Sequence, residues 1–358
     1  MSILELMEKT DCEEILLCHD SISGLKAVIV IHDTTLGPAM GGLRIDQYPS
    51  DTEAVSDALR LSQTMTLKAS AAGLNLGGGS AIILCDPKRE KSEAVLRAFG
   101  RHVQSLCGRI IIGEDAGTTV EDMDIIAQET RYVVGLNKRK GGSGDPAIKG
   151  AFGVFRGIQA CMEAVHGTCF LRNRTVAIQG VGSVGLELAR LLSRDGARLI
   201  VSDIDESRIQ RAQKALTVEV VEPEKIFGVD CDVFSPCARS GILTEKTLAS
   251  LKAGIVAGSA NNQLESDRVG EMMHAKGIVY APDLVINAGG MINAAEELHG
   301  YDETTANLKV SKLFSSIQTI LRISREKNIP TSMAAKQWAN ERLRLIRDVR
   351  RNFLPGKQ

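Results

Sequence analysis

The stretch that decides the fold is TVAIQGVGSVG, residues 175–185. It begins as a short apolar strand and ends in GVGSVG at 180–185, which is the pattern GxGxxG. This pattern favours a strand, a tight turn and a helix from Ser183 to about Arg194. A second β-branched stretch, ARLIVSD, ends at Asp203. The order strand, turn, helix, strand predicts one unit of a parallel sheet covered by helices.

Each position of the glycine motif has a physical reason. Gly180 allows the tight turn, Gly182 lets the backbone approach a pyrophosphate, and Gly185 lets the helix pack closely on the strand. The first N–H groups of the helix, at Ser183 and Val184, have no partner inside the helix and can bind the anion. The motif therefore predicts a dinucleotide site. The alternative is a glycine-rich turn of an α/β fold that binds nothing.

Asp203 gives the site its expected cofactor preference. It lies close to the roughly 20 residues beyond the motif where a carboxylate accepts hydrogen bonds from the ribose hydroxyls. The same carboxylate would repel a 2′-phosphate, so the sequence predicts NAD rather than NADP. Asp203 alone could equally cap a helix that starts near Glu206.

Length and composition limit the class of protein. A chain of 358 residues suggests about two domains, and a net charge of -1 gives no reason to expect nucleic acid or an anionic membrane as partner. No apolar run reaches the ~20 residues of a bilayer span, and the N-terminus lacks a signal-peptide pattern, so we expect a cytoplasmic protein. The eight cysteines and six histidines lack metal-ligand spacing, so no metal is expected.

The clearest linker is KRKGGSGD at 138–145, which is charged and rich in glycine. We place a first domain at 1–140 and a NAD-binding Rossmann domain at 141–330. A Gly/Pro loop is expected to end at Gly42, and two long helices separated near Pro330 are expected at the end of the chain. Strands are predicted at 27–34, 109–113, 175–179, 197–203, 232–235, 254–258 and 278–281, and helices at 51–72, 92–106 and 183–194.

Four polar residues stand beside glycines or at strand ends. Lys68 follows an apolar helix face, where a snorkelling surface lysine is the simpler interpretation. Asp115 follows an apolar strand and precedes a glycine, although it could equally cap the next helix. Asn261 and Asn287 lie in Asn/Gly loops expected at the carboxyl edge of the sheet, where such folds bind ligands. Turn chemistry is the alternative for both asparagines.

Eight segments of the chain carry a wider resemblance: TLGPAMGGLRI, DALRLSQTMTLKASAAGLNLGGG, GEDAGTTVEDMDIIAQET, SGDP, VAIQGVGSVG, SPCARSGIL, AGSANNQL and YAPDLVINAGGMIN. Together they resemble the leucine/phenylalanine/valine branch of the amino acid dehydrogenases, closest to leucine dehydrogenase. The resemblance runs from about Glu14 to Arg342 in matched order. It implies an N-terminal α/β substrate domain to which residues 331–358 return, a Rossmann-type doubly wound domain, and a homo-oligomer. It also implies reversible oxidative deamination of an L-amino acid to a 2-oxo acid and ammonia, with NAD as the hydride acceptor.

The resemblance also implies residue roles. Lys68 matches the lysine that pairs with the substrate carboxylate, Gly41 and Gly42 match the loop that approaches it, and Asp115 matches the acid that assists proton transfer. Asn261 matches a residue near both nicotinamide and substrate. The implied cofactor residues are Gly180, Gly182, Ser183, Val184, Gly185, Asp203, Ala238, Asn261 and Asn287.

By the same resemblance, Met40, Gly113, Met291 and Ala294 line the pocket for the substrate side chain. Two of them are small and two are flexible and apolar, so an apolar side chain is expected. One methylene changes discrimination by only ~1–3 kcal/mol, so leucine, valine and phenylalanine stay open.

The sequence departs from the family at one catalytic position. The family has GGGK or GGAK where this chain has Gly77-Gly78-Gly79-Ser80, and the family lysine is the catalytic base. A serine hydroxyl does not act as a base unless another group activates it. Three hypotheses follow: altered catalysis at Ser80 and Asp115, a lysine supplied from elsewhere in the fold, or a catalytically silent homologue that binds NAD or an amino acid.

Overall fold

The computed structural model describes residues 2–349, and its contacts divide them into two compact units. Unit 1 holds residues 2–145, 294–303 and 339–349, and unit 2 holds residues 146–293 and 304–338. The chain was predicted to return to the first domain at residue 331. Residues 331–338 instead belong to unit 2, where Lys336 pairs with Asp267 at 2.9 Å. The return begins at Ala339, whose carbonyl oxygen accepts a hydrogen bond from Ser70. Residues 350–358 of the predicted return lie outside the described chain.

Each unit is built on one sheet. The five strands of unit 1 have the order β1-β2-β4-β3-β5, with β3, β4 and β5 parallel and β1 and β2 antiparallel to their neighbours. The six strands of unit 2 form a parallel sheet in the order β11-β10-β9-β6-β7-β8. The strands are β1 Glu14–Asp20, β2 Leu25–Asp33, β3 Ala39–Asp46, β4 Gly77–Leu84, β5 Ile110–Glu114, β6 Thr175–Gln179, β7 Arg198–Ser202, β8 Glu219–Val220, β9 Val233–Pro236, β10 Ile255–Val256 and β11 Val279–Tyr280.

In unit 2 α-helices connect most of the consecutive strands, whereas β1, β2 and β3 of unit 1 follow one another without a helix between them. No helix within residues 2–349 is long and apolar enough to cross a membrane. The α-helices are α1 Ile3–Thr10, α2 Asp51–Ala71, α3 Glu93–Ser105, α4 Val120–Ile126, α5 Ala147–His166, α6 Ser183–Arg194, α7 Glu206–Ala215, α8 Glu245–Ser250, α9 Asp267–Ala275, α10 Asp283–Ile286, α11 Gly289–Ala295, α12 Glu303–Ser311, α13 Leu313–Lys327 and α14 Thr331–Val349.

The sheet of unit 1 is buried on both faces. On one face Val55 and Leu59 of α2 pack against Val30 and Ile82. On the other face the core includes Phe99 of α3 together with residues of α4. The face covered by α2 is called the α2 face below, because the residues of the candidate site lie on it.

The expected Gly/Pro loop is present at residues 34–38, but its predicted end at Gly42 is wrong, because β3 begins at Ala39 and runs through the glycines. A Cβ atom added to Gly41 would lie 1.8 Å from the carbonyl oxygen of Gly79 on β4. The glycines therefore let two parallel strands approach closely, although glycine in a sequence normally indicates a turn.

The architecture predicted for unit 2 is confirmed. Strand β6 and helix α6 have the predicted bounds at both ends. The Asn/Gly loop expected around Asn287 is only a two-residue turn, because Ile286 ends α10, Asn287 caps it and Gly289 begins α11. Two helices were expected near the C-terminus, but the structure has three, because the segment before Pro330 is divided into α12 and α13.

Candidate active site

Glycines of β4 bring α2 directly onto the strand. A Cβ atom at Gly78 would lie 2.1 Å from the backbone nitrogen of Thr66, so only glycine permits this approach. Lys68 follows in the last turn of α2 and is half-buried. The glycine run thus fixes the height at which Lys68 lies over the sheet, which gives these glycines a role in positioning a side chain as well as in backbone packing.

Ser80 is buried on the α2 face, with 2% of its surface exposed. Its hydroxyl donates to the carbonyl oxygen of Ala58 on α2, with an Oγ–O distance of 2.7 Å. No lysine or histidine is among its hydrogen-bond partners in residues 2–349. The predicted catalytic role of Ser80 therefore lacks an activating base, and the hydroxyl proton is already used by a helix carbonyl.

Asp115 follows β5 on the same face as Ser80. Gly42 makes its position possible, because a Cβ atom at Gly42 would lie 2.6 Å from the Cβ of Asp115. Arg44, two residues beyond Gly42 on β3, reaches the Asp115 carboxylate with an Nη2–Oδ2 distance of 3.3 Å. About a third of the Asp115 side chain is exposed (36%), so the carboxylate is accessible to a ligand on the α2 face.

Sequence reasoning missed Arg44, which links Asp115 to α2. Its second nitrogen donates to Asp57 at 2.8 Å, and Asp57 also accepts from Tyr48 and Arg60. Burial acts to raise the pKa of Asp57, but the hydrogen bonds and charges of its partners outweigh it and hold that pKa low. Asp57 is thus occupied by three donors, and Asp115 is the carboxylate of this network left to act on a ligand.

Glu114 ends β5, directly before Asp115. Burial raises its pKa to about 7, and the negative charges of Asp145 and Glu121 add to the effect. A carboxyl group with this pKa changes charge near neutral pH. Glu114 is therefore a titrating neighbour of the site.

The residues predicted to line a side-chain pocket are only partly brought together. Met40 and Gly113 lie on adjacent strands of unit 1, and a Cβ atom at Gly113 would lie 3.4 Å from Val134. Met291 and Ala294 both belong to α11, which passes from unit 2 into unit 1 between residues 293 and 294. Their role in a pocket stays a prediction.

In unit 2 the glycine motif forms the turn that its spacing predicts. Gly180 has φ of +91°, and a Cβ atom there would lie 2.7 Å from the Cβ of Ala238. A Cβ atom at Gly185 would lie 2.0 Å from the carbonyl oxygen of Gly180, so the helix and the strand end are in direct contact. Gly182 caps α6 without a side-chain hydrogen bond, which leaves the first N–H groups of the helix to an anion.

Asp203 follows β7, and its side chain is only 4% exposed. It accepts from the backbone nitrogens of Val181 at 2.9 Å and Asp205 at 3.0 Å. The alternative interpretation of Asp203 as a helix cap is not what the structure shows, since Asp205 caps α7. Arg208, which sequence reasoning missed, lies 3.8 Å from the Asp203 carboxylate.

Asn261 and Asn287 meet in unit 2, where the Nδ2 of Asn287 donates to Oδ1 of Asn261 at 2.7 Å. The Oδ1 of Asn287 is buried and has no hydrogen-bond partner in the described chain. A buried acceptor without a partner is costly, and a ligand amide would satisfy it. This orphaned oxygen and the open helix terminus at Gly182 fit a nicotinamide dinucleotide.

Unit 2 has a doubly wound sheet, a glycine turn and an aspartate after strand β7, and it is joined to a second α/β unit. This combination defines a class of oxidoreductases that use a nicotinamide cofactor. The comparisons agree with this class. Residues 13–132 match the family described as "Glu/Leu/Phe/Val dehydrogenase, dimerisation domain", and residues 201–346 match "Glutamate/Leucine/Phenylalanine/Valine dehydrogenase". The chain belongs to this family of amino acid dehydrogenases.

Individual relatives match over nearly the whole chain. Leucine dehydrogenase of Geobacillus stearothermophilus is 49% identical over 99% of this chain and 96% of its own length. Phenylalanine dehydrogenase of Caldalkalibacillus thermarum is 42% identical over 96% of this chain and 94% of its own. The crystal structure of L-tryptophan dehydrogenase from Nostoc punctiforme matches with a TM-score of 0.86 at 41% identity, covering 97% of this chain and 100% of that one.

Proposed function

We propose that the protein oxidatively deaminates an apolar, leucine-type L-amino acid to its 2-oxo acid and ammonia with NAD. The observation that carries the proposal is the α2 face of unit 1, where Lys68, Gly42 and Asp115 occupy the positions that the family resemblance assigns to substrate binding and proton transfer. The glycine turn and Asp203 in unit 2 support NAD as the cofactor.

The cofactor, when bound, accepts the hydride from the substrate. The remaining work falls to side chains of this chain. Lys68 pairs with the substrate carboxylate, and the Gly41–Gly42 backbone lets the substrate approach the sheet. Asn261 orients the reacting groups, and Asp203 accepts from the adenosine ribose.

Asp115 is proposed as the proton carrier. The attack of water on the iminium intermediate requires a base. The neutral hydroxyl of Ser80, which donates its proton to the Ala58 carbonyl, does not supply that base. Arg44 holds the Asp115 carboxylate in place from the other side. Because positioned acid–base groups contribute about 10²–10⁴ in rate, turnover without the family lysine is expected to be slower by a factor in that range.

A second candidate function is a catalytically silent homologue that binds NAD or an amino acid. The observation that favours it is the same burial of Ser80, which leaves no activated nucleophile or base at that position. Its partner would be another copy of the chain or a related subunit.

The deciding experiment measures NADH formation with branched-chain and aromatic L-amino acids at alkaline pH. The protein is compared with Ser80→Lys, and Ser80→Ala is the matched control. Slow turnover that Ser80→Lys raises by about 10²–10⁴ supports the dehydrogenase with Asp115 as carrier. Turnover that is absent in the wild-type protein and restored by lysine, with NAD binding equal in both, supports the silent homologue.

The remaining features of the proposal concern substrate, assembly and location. Leucine-type substrates are preferred because Met40 and Gly113 present an apolar surface. A homo-oligomer is proposed because the matched family domain is described as a dimerisation domain. The proposed location is the cytoplasm, in keeping with eight cysteines that form no disulfide.

A further inference from the structure

Unit 1 contains a cavity of about 500 Å³ at the amino ends of its parallel strands. Pro38 precedes β3 and Leu76 precedes β4, whereas Gly42 and Asp115 lie further along the sheet. Small-molecule sites have volumes of roughly 300–1,000 Å³ and mainly apolar walls. The apolar wall here is formed by Pro38, Leu76, Ile111, Val133, Val134 and Leu298.

The rim of this cavity carries an arginine whose charge is not compensated. Arg131 lies over the ring of Tyr132, 5.4 Å from its centroid, and its only hydrogen bond within the described residues is a long one of 3.4 Å to the Tyr132 hydroxyl. Among residues 2–349 it forms no ion pair. Lys140 also lines the cavity, but its ammonium is paired with Asp124 at 3.2 Å. Arg131 is therefore a cation on this rim that is available to a ligand.

The carboxylate in the wall, Glu297, does not compensate Arg131. Its oxygens accept from the backbone nitrogens of Gly135 at 3.0 Å, Leu136 at 3.4 Å and Ser143 at 2.7 Å. These three N–H groups stabilise the negative charge and fix the loop that forms one side of the cavity. The walls are thus held in place before any ligand binds, which lowers the entropic cost of binding.

We propose that this cavity is a second small-molecule site, which binds a monocarboxylate with an apolar tail. Arg131 binds the carboxylate, because its planar guanidinium matches that group, and the tail packs against Leu76, Ile111 and Leu298. The site is separate from Lys68, to which the proposed function assigns the substrate carboxylate.

Val134 connects this cavity to the α2 face. It lines the cavity and lies at ordinary contact distance from the position of a Gly113 side chain. A tail bound in the cavity presses on Val134 and narrows the space beside Gly113. This link, unlike the binding itself, rests on the proposed function. It means that the bound ligand inhibits the turnover of substrates with large side chains.

The test is calorimetric titration of the full chain with isocaproate, which carries neither the amino nor the oxo group that the reaction needs. The variants are Arg131→Met, Leu298→Phe to fill the cavity from another wall, and Lys68→Met to remove the assigned substrate carboxylate partner. Arg139→Met is the matched control, since Arg139 is exposed on the neighbouring turn and does not line the cavity. Isocaproamide serves as the uncharged ligand.

The expected result is binding that survives in Lys68→Met and Arg139→Met and weakens by about tenfold or more in Arg131→Met and Leu298→Phe. Isocaproamide should bind at least tenfold more weakly than isocaproate for the same reason. Loss of all binding in Lys68→Met, or unchanged binding in both cavity variants, overturns the second site. Because the titration requires no turnover, it gives the same answer whether or not the protein is an active dehydrogenase.

Discussion

The cofactor turn of unit 2 depends mainly on the polypeptide backbone, whereas the α2 face of unit 1 depends mainly on side chains. In unit 2 the backbone dominates: Gly180 supplies a positive φ, and Gly182 opens the helix terminus. On the α2 face the glycines bring elements together, but the proposed function assigns the chemistry to the side chains of Lys68 and Asp115. A backbone site keeps its function through many substitutions, whereas a side-chain site can change its reaction through one, and Ser80 stands at such a position because the family resemblance places a lysine there.

The largest expected effect is on Asp115. Asp115→Asn removes the proposed proton carrier without changing its size, so kcat should fall by about 10²–10⁴. NAD affinity should stay as in the wild-type protein. Steady-state kinetics and NAD titration measure the two quantities, and Asp46→Asn is the control because Asp46 is exposed at the end of β3. A kcat close to that of the wild-type protein would assign the proton route to another group.

Lys68→Met tests the carboxylate partner on the same face. A charge-assisted hydrogen bond contributes about 1.5–3 kcal/mol, so KM for the amino acid should rise by about 10–100-fold. The measurement is the ratio of kcat to KM over a substrate series, with Lys26→Met as the exposed control. If KM is unchanged, Lys68 is the snorkelling surface residue of the simpler interpretation.

The corresponding change in unit 2 should be smaller and should act on binding alone. Asp203→Asn keeps an oxygen for the loop nitrogens but loses the charge, so Kd for NAD should rise about tenfold with kcat unchanged at saturation. The preference over NADP should narrow, because the repulsion of a 2′-phosphate is removed. Fluorescence titration with both cofactors measures this, with Asp205→Asn as the control. An undiminished preference would show that Asp203 does not select the cofactor.

The smallest effect concerns stability rather than catalysis. Because the pKa of Glu114 is raised to about 7, the folded state holds its proton more tightly than the unfolded state does. The free energy of unfolding should therefore fall as pH rises from about 4.5 through 7. Solvent screening limits the loss to about 1 kcal/mol, and Glu114→Gln should remove it.

Urea unfolding at several pH values measures that slope, and Glu8→Gln is a control on an exposed side chain of the same unit. A slope that persists in Glu114→Gln would assign it to another group.

The sequence predicted unit 2 better than unit 1, because the residues that determine the glycine motif of unit 2 are close together in sequence. The strand, turn and helix of the glycine motif depend on residues within one short segment, and their bounds are as predicted. Strand β3 was missed because its glycines serve a distant partner, β4, which no local pattern shows.

The same limit applies to the candidate site. Lys68 and Asp115 could be named from the family resemblance, but the Arg44–Asp115 pair depends on the register of β3 and β5. Whether Ser80 has a base beside it depends on the packing of α2, and the structure shows a backbone carbonyl there.

The hydrogen bonds between Glu297 and the loop at 135–143 also determine when unit 1 can finish folding during synthesis. Gly135 and Glu297 are 162 residues apart, so the loop leaves the ribosome long before its acceptor does. At about 5–20 residues per second the gap lasts roughly ten to thirty seconds. Unit 1 therefore completes its native contacts only after residues 294–303 and 339–349 have been made, although most of its residues are made earlier. A truncated chain that ends before residue 294 contains the whole sheet of unit 1 and still lacks the carboxylate that holds its loop.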